Sequence, residues 1–392
     1  MAGSTKKDKK AIDNKPRYRI IEGFERMSAK CEPSSSASRS PSPARNASVD
    51  PLNLKRDLLV QIESSLLSQL RQHIITLNEL LKPADLLHKP TRKLKLISEI
   101  QSELDGTLDQ IYSATSNILP SSTQASPAGN YDQHLNELKT FRLDRLHYHL
   151  TISFLEEIST FTTMNYDMND DVFWARQHVI EATDTLFETI ERVINWLKGS
   201  ELDNIQVAWT DQRPGNQDML NQYLSFSNQR SGSHNQRQLE PFAEQMFKLA
   251  KLVIPIIKLY RLFVNKLSER GMNRKQLPKF TMMRTHQLRT IDQLPEDVNN
   301  ILWNLWGVLR DSNPTEEQST YRILSRTIQS LDNKFKDPLL LILIYFLPIV
   351  PDTDGFPTRQ YFNEWFATWK TLFTIAISNF LRAVPPFMYH PL

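Results

Sequence analysis

Residues 58–81, LLVQIESSLLSQLRQHIITLNELL, place apolar side chains at steps of three and four residues. An α-helix turns about 100° per residue, so this spacing brings the apolar positions onto one face. The stretch therefore predicts a long amphipathic helix that packs one face against other helices and ends before Pro83. The positions on that face are Leu58, Ile62, Leu66, Leu70, Ile74, Leu77 and Leu81.

The same periodicity extends along most of the chain. Residues 94–118 follow a near-heptad in which Gln101 and Thr115 occupy two seam positions, and Asp132 precedes the third predicted helix as a candidate cap. No stretch shows sustained alternation of apolar and polar residues. We therefore predict an all-α protein, with long antiparallel helices forming one or two packed bundles. The later helices are predicted at 133–161, 172–198, 239–269, 295–310, 314–335 and 358–383.

Composition predicts four regions along the chain. Residues 1–50 have the composition of a disordered, basic, Ser/Pro-rich tail, and residues 51–210 that of an N-terminal helical bundle. Residues 211–238 are predicted to form a polar loop or linker, because they are poor in apolar side chains. Residues 239–392 are predicted to form a C-terminal helical region.

The tail carries the basic character of the chain. The protein has 47 Lys and Arg against 44 Asp and Glu, a net charge of +3, and residues 1–50 alone contribute +5. Ser40 and Ser42 each precede a proline and are candidate phosphorylation sites. Nucleic-acid association is expected only through this tail.

The composition argues against several large classes of enzyme and binding protein. The chain has 10 glycines, and no two of them lie within ten positions of each other, so neither a phosphate-binding loop nor a nucleophile elbow can be written. A single cysteine, Cys31, excludes an internal disulfide and points to a reducing compartment, the cytoplasm or nucleus. We predict no catalytic residues, no cofactor and no metal site.

A polar line on the third predicted helix is less ordinary. Arg142, His149 and Glu156 are spaced by seven residues and share the side occupied by leucines. The line predicts either a hydrogen-bonded seam between helices or a buried site for an ion or proton.

Two apolar features near the carboxyl terminus have alternative interpretations. Residues 339–350, LLLILIYFLPIV, are too short to span a bilayer and predict a buried core segment, so no membrane span is expected. Trp365, Phe366 and Trp369 are at helical spacing, which favours a core position and leaves an exposed docking surface as the alternative.

The stretches YDQHLNELKTFRLDRL (131–146) and KLKLISEIQSELDGTLDQIYSA (93–114) resemble a large uncharacterised helical family of rust fungi. The resemblance covers residues 50–200 and implies an all-helical fold, without any reaction, cofactor or partner to carry over. At the level of architecture alone, the consecutive long helices are also similar to the bundles of vinculin and alpha-catenin, which implies protein binding.

Together these features predict a non-enzymatic, intracellular helical interaction or scaffold protein with an unidentified protein partner. Two alternatives stay open. One is a bundle that binds a metal or small ligand through the polar line on the third helix, and the other is nucleic-acid association through the tail.

Overall fold

The structure is a computed structural model that describes residues 19–20, 22–24, 26–27, 50–80, 90–119, 131–153, 172–211, 213–228, 241–268, 277–352 and 357–385. Within these ranges the regular structure is helical and no strand occurs, which confirms the all-α prediction. Ser40, Ser42 and Glu156 lie outside the described residues.

The chain divides into two compact units that do not follow the predicted domain boundary. Unit 1 comprises Met1–Ser126 and Arg142–Lys198, and unit 2 comprises Pro127–Phe141 and Gly199–Leu392. The predicted boundary near residue 211 is therefore displaced to Gly199, and a short segment from the middle of the N-terminal half belongs to unit 2.

Unit 1 is built around the helix predicted from residues 58–81. Its described helices, with a π-helical turn at Ile62–Leu66, are α1 (Pro51–Gln61), α2 (Leu67–Leu80), α3 (Pro90–Ile118), α4 from Arg142 onward (Thr140–His147 in full, followed by a π-helical turn at Tyr148–Ser153) and α5 (Val172–Lys198). α2 packs against α3 and α5. The predicted apolar face is buried in this packing, as Leu66, Leu70 and Leu77 show.

The near-heptad of α3 accommodates its two polar positions without leaving them unsatisfied. Gln101 is buried and donates from Nε2 to the carbonyl of Ile20 at 2.8 Å, and Thr115 donates back to the carbonyl of Ile111. Ile20, Phe24 and Met27 are buried and helical. The predicted disorder of residues 1–50 therefore does not extend to these positions, because their spacing of four and three residues forms a short apolar face.

Unit 2 contains the larger core. Its described helices are α6 (Glu201–Asp211), α7 (Arg213–Asn228), α8 (Pro241–Leu267), α9 (Thr285–Asp292), α10 (Leu294–Asp311), α11 (Glu317–Lys334), α12 (Lys336–Leu341) and α13 (Thr358–Ala383). α8 packs against α7, α10 and α13, so it is the central helix of the unit. An aromatic cluster lies where α8, α13 and the end of α11 meet, with Phe263 against Phe335 and Trp369.

The predicted loop at 211–238 is wrong for residues 213–228, which form α7. Met219, Leu220 and Tyr223 are buried on one face of this helix, and Tyr223 donates from its hydroxyl to the carbonyl of Leu302 at 3.0 Å. Few apolar residues are enough to hold this helix in place, because those on its inward face are buried in the core.

The predicted third helix begins at Thr140 rather than at residue 133. Residues 136–138 form a 3-10 turn, and Asn136 has a φ of 51°, a left-handed conformation that an α-helix cannot continue through. The turn lies in the segment Pro127–Phe141, which belongs to unit 2.

The apolar run at 339–350 is only partly buried, in contrast to the prediction. It forms the end of α12, a π-helical turn at Ile342–Phe346 and a 3-10 turn at Leu347–Ile349. Phe346 is buried, whereas Leu340 and Ile344 are 55% and 52% exposed, because a helix of this length packs on one side only. No described helix is long and apolar enough to cross a membrane.

Candidate functional site

Asp132 fixes the segment 131–141 within unit 2 through a buried set of hydrogen bonds. Its carboxylate accepts the backbone N–H of Thr140 at 3.1 Å, which caps α4, and the backbone N–H of Thr285 at 2.9 Å, which opens α9. The same carboxylate accepts the hydroxyl of Thr285, and that hydroxyl oxygen accepts the N–H of Phe141 at 2.9 Å. One carboxylate thus satisfies donors at the first turns of two helices.

Lys139 and Glu201 form a buried ion pair, which contacts Thr281, four residues before Thr285. Lys139 Nζ lies 2.6 Å from Glu201 Oε1, and both side chains are 0% exposed. The ammonium also donates to the carbonyl of Thr281 at 2.7 Å. Glu201 Oε2 accepts the N–H of Thr281 at 2.8 Å and its hydroxyl at 2.5 Å. We call this pair, with Thr281, the buried clasp.

The start of α6 holds Glu201 in position. Ser200 and Asp203 cap the helix reciprocally, with the N–H of Ser200 donating to Asp203 Oδ2 at 2.8 Å and the N–H of Asp203 donating to Ser200 Oγ at 3.1 Å. The N–H of Glu201 donates to the carbonyl of Lys279 at 3.1 Å. Glu201 therefore lies in the first turn, where the helix dipole favours a carboxylate.

The buried clasp is a structural element by its geometry. It joins three segments that are far apart in sequence, at 139, 201 and 281, and the hydrogen bonds between Lys139, Glu201 and Thr281 are all buried. Its ionisable groups are engaged with backbone and with each other, an arrangement that orients chain segments.

Sequence reasoning did not identify Lys139 or Glu201. A lone lysine and a glutamate 62 residues apart look like surface residues, since charged side chains are rarely buried unless paired. The one local signal is Ser200-x-x-Asp203, which marks the start of α6 but not the burial of the residue inside it.

The structure brings two residues of the predicted polar line to the end of α5. Arg142 is buried and donates from Nη2 to the carbonyls of Trp196 and Leu197, both at 3.0 Å. The indole of Trp196 donates to the carbonyl of Arg142 at 3.1 Å. Arg142 therefore caps the carboxyl end of α5, where a cation is favoured, and acts as part of a seam between helices.

His149 lies in the π-helical turn, one step further along the line. Its ring packs edge-on against Trp196 with a centroid distance of 5.9 Å, and its Nδ1 is buried without a hydrogen-bond partner. Burial lowers the pKa of His149 to about 4, assisted by the positive charges of Arg145 and Arg192. This cationic surrounding favours a neutral imidazole and disfavours a bound cation. Among the described residues no group of three or more His, Cys, Asp and Glu side chains could hold a metal ion.

We expect His149 to make unit 1 acid-sensitive. Its pKa in the folded chain is about 4, whereas the ordinary value is 6.5, so the folded state disfavours the proton. The contribution of neutral His149 to the free energy of unfolding is fully present above pH 6.5 and is lost as the pH falls towards 4. After allowance for the partial exposure of the ring, the loss should be about 2 kcal/mol. Urea unfolding followed by circular dichroism across this range measures it.

Two variants separate His149 from general acid effects. His149→Phe should remove this part of the pH dependence, and exposed His286→Phe should leave the profile of the parent chain unchanged. An identical acid profile for the parent chain and His149→Phe would contradict the assignment.

The alternative of an exposed aromatic docking surface is wrong for two of its three residues. Phe366 and Trp369 are 1% and 2% exposed and belong to the aromatic core around Phe263, and Trp369 donates from its indole to the carbonyl of Leu259 at 2.8 Å. Trp365 is half-buried at the surface. The core interpretation is confirmed because the inward face of α13 needs large side chains to reach α8 and α11.

The flank of α13 beside its buried face also carries large apolar residues. Tyr361, Leu372 and Ile375 are 40%, 48% and 48% exposed, and with Trp365 they follow one another at helical spacing along the same side. We call these four residues the α13 stripe. Sequence analysis missed it because the stripe adjoins the buried face of the same helix, and the sequence shows no clear boundary between the two.

Two family models match the chain, each over part of its length. Residues 200–382 match one described as Domain of unknown function (DUF8721), and residues 55–198 match another described as Domain of unknown function (DUF8723). The two matches meet at the division between the units, except that the second includes the segment 127–141, which belongs to unit 2. No curated protein and no solved structure was found to be similar to the chain.

Proposed function

We propose that this protein is a non-enzymatic helical interaction or scaffold protein of the cytoplasm or nucleus, and that it recruits a protein partner through unit 2. The α13 stripe carries the proposal. A row of large apolar side chains on a helix surface, here interrupted by Thr368, is characteristic of binding faces, since burial of such a row favours association.

The use of the buried charged residues supports the same proposal. Asp132, Lys139, Glu201 and Arg142 each bond backbone groups and join chain segments. These four buried ionisable side chains thus have structural roles. The single cysteine supports placement in a reducing compartment.

A comparative pull-down with quantitative mass spectrometry tests the proposal. Leu372→Ser/Ile375→Ser in the full chain should lose partners that the parent chain recovers, because it removes the apolar centre of the stripe. Leu340→Ser/Ile344→Ser is the matched control, since these residues are equally exposed on another helical segment and have the same chemistry. Equal recovery with all three proteins would overturn the role of α13.

A further inference from the structure

The α13 stripe forms one wall of a groove between α13 and α8. The two helices are antiparallel, because Lys266 Nζ bonds the hydroxyl of Tyr361 at 2.6 Å while Gln245 Nε2 bonds the carbonyl of Ala383 at 2.5 Å at the other end. Lys266 also lies over the rings of Tyr361 and Trp365, at 4.3 and 5.4 Å from their centroids. These contacts mark the edge at which the stripe meets α8.

The α8 wall of the groove includes exposed apolar residues. Leu262 is 54% exposed and lies one turn before Lys266 on the same face. Pro255 continues this exposed face toward the start of α8. Pro255 and Leu262 thus alternate with lysines on the exposed side of α8.

The same α8 wall is basic. α8 carries five basic residues and one acidic residue, Glu244. Lys248, Lys251 and Lys258 are exposed along the side that includes Leu262. Within the described ranges no carboxylate oxygen lies within 4.0 Å of the Nζ atoms of these three lysines.

The outer side of the α13 wall has no net charge. It carries Glu364, which accepts a hydrogen bond from Gln360 at 2.8 Å, and exposed Arg382, while Thr368 and Asn379 lie within the line of the stripe. The groove therefore has a largely apolar α13 wall without net charge and a basic α8 wall. This arrangement suits a ligand with one apolar face and one acidic flank.

We propose that this groove binds an amphipathic helix of a partner protein, with an apolar face against the α13 stripe and an acidic flank against Lys248, Lys251 and Lys258. The stripe spans residues 361–375, about 21 Å along the helix axis, which matches about four turns of a partner helix. This inference rests on the proposed function and specifies the chemistry of its partner.

Binding of designed peptides to the full chain tests the inference. The probe is a fluorescent helical peptide of about 18 residues with leucines on one face and glutamates on the other. A lysine version and a sequence-scrambled glutamate version are the matched controls. We expect the glutamate peptide to bind at least about tenfold more tightly than either control in fluorescence anisotropy.

Variants of the groove make the outcome specific. Leu372→Ser/Ile375→Ser and Lys251→Glu/Lys258→Glu should each weaken binding of the glutamate peptide about tenfold, and the charge-reversed chain should gain affinity for the lysine peptide. Leu340→Ser/Ile344→Ser and Arg326→Glu/Lys336→Glu, on other helices, should leave binding unchanged. The parent chain should not sediment with phosphatidylserine vesicles.

Several results would overturn the inference: equal affinity for the glutamate and lysine peptides, insensitivity to the groove variants, or binding to the vesicles in place of the peptide. If the peptide fails while cellular partners are still lost with Leu372→Ser/Ile375→Ser, the proposed function stands and only the acidic helix is wrong. If the peptide binds while those partners are unaffected, the groove has the proposed specificity and the proposed recruitment role fails.

Discussion

Lys139→Met is expected to lower the free energy of unfolding of unit 2 by about 3–5 kcal/mol, because it leaves the carboxylate of Glu201 buried without its cation. Both side chains of the pair are 0% exposed, so water cannot replace the lost partner without opening the core. Methionine preserves most of the length of the lysine stem, so the change is mainly one of charge. Urea unfolding followed by tryptophan fluorescence measures it, since Trp209, Trp303, Trp306, Trp365 and Trp369 all belong to unit 2.

Two further proteins isolate the ion pair from the packing. Lys334→Met removes an exposed ion pair with Asp297, whose side chains are 47% and 42% exposed, and should cost less than about 1 kcal/mol. Lys139→Met/Glu201→Leu should cost less than the sum of its single variants, because no uncompensated charge is left. A loss for Lys139→Met no larger than that for Lys334→Met would contradict the burial of the clasp.

Phe335→Ala is expected to destabilise unit 2 by about 3–5 kcal/mol through the cavity it leaves. Phe335 is 0% exposed and its ring contacts Tyr260, Phe263, Trp369 and Phe373, so these side chains on α8 and α13 lose a common neighbour. The same fluorescence measurement applies, and the loss of packing around Trp369 should also shift the emission of the native state.

Graded substitutions check the cavity argument. Phe335→Leu should cost about 1–2 kcal/mol because it fills part of the space, and Leu340→Ala, at a position that is 55% exposed, should change stability by less than about 0.5 kcal/mol. Equal effects of Phe335→Ala and Leu340→Ala would rule out a central packing role for Phe335.

Helix periodicity predicted those parts of the fold in which local pattern and packing agree. The stripe from Ile62 to Leu77 is buried as its spacing indicates, and α5 ends at Lys198, next to Gly199. The start of the third helix was not predictable in this way. Its start depends on Asn136 and on donors offered to Asp132 by a segment 153 residues away.

The candidate groove was beyond sequence reasoning for a related reason. Phe366 and Leu372 are both large apolar residues of one helix, and only the packing of α8 and α11 decides that Phe366 is buried and Leu372 is exposed. Likewise, the charge of Lys139 does not indicate burial until Glu201 and Thr281 are known to meet it. Local patterns specify helices, whereas the choice between faces depends on contacts across long sequence separations.

The place of residues 127–141 within unit 2 has a practical consequence for dissecting the chain. A cut at 198/199, where the two family matches meet, would deliver Glu201 and Thr281 on one fragment and Lys139 and Asp132 on the other. The carboxyl-terminal fragment would then bury the carboxylate of Glu201 without the ammonium of Lys139. Recombinant production of this half should therefore include residues 127–141, either co-expressed as a separate peptide or joined ahead of Gly199 by a linker.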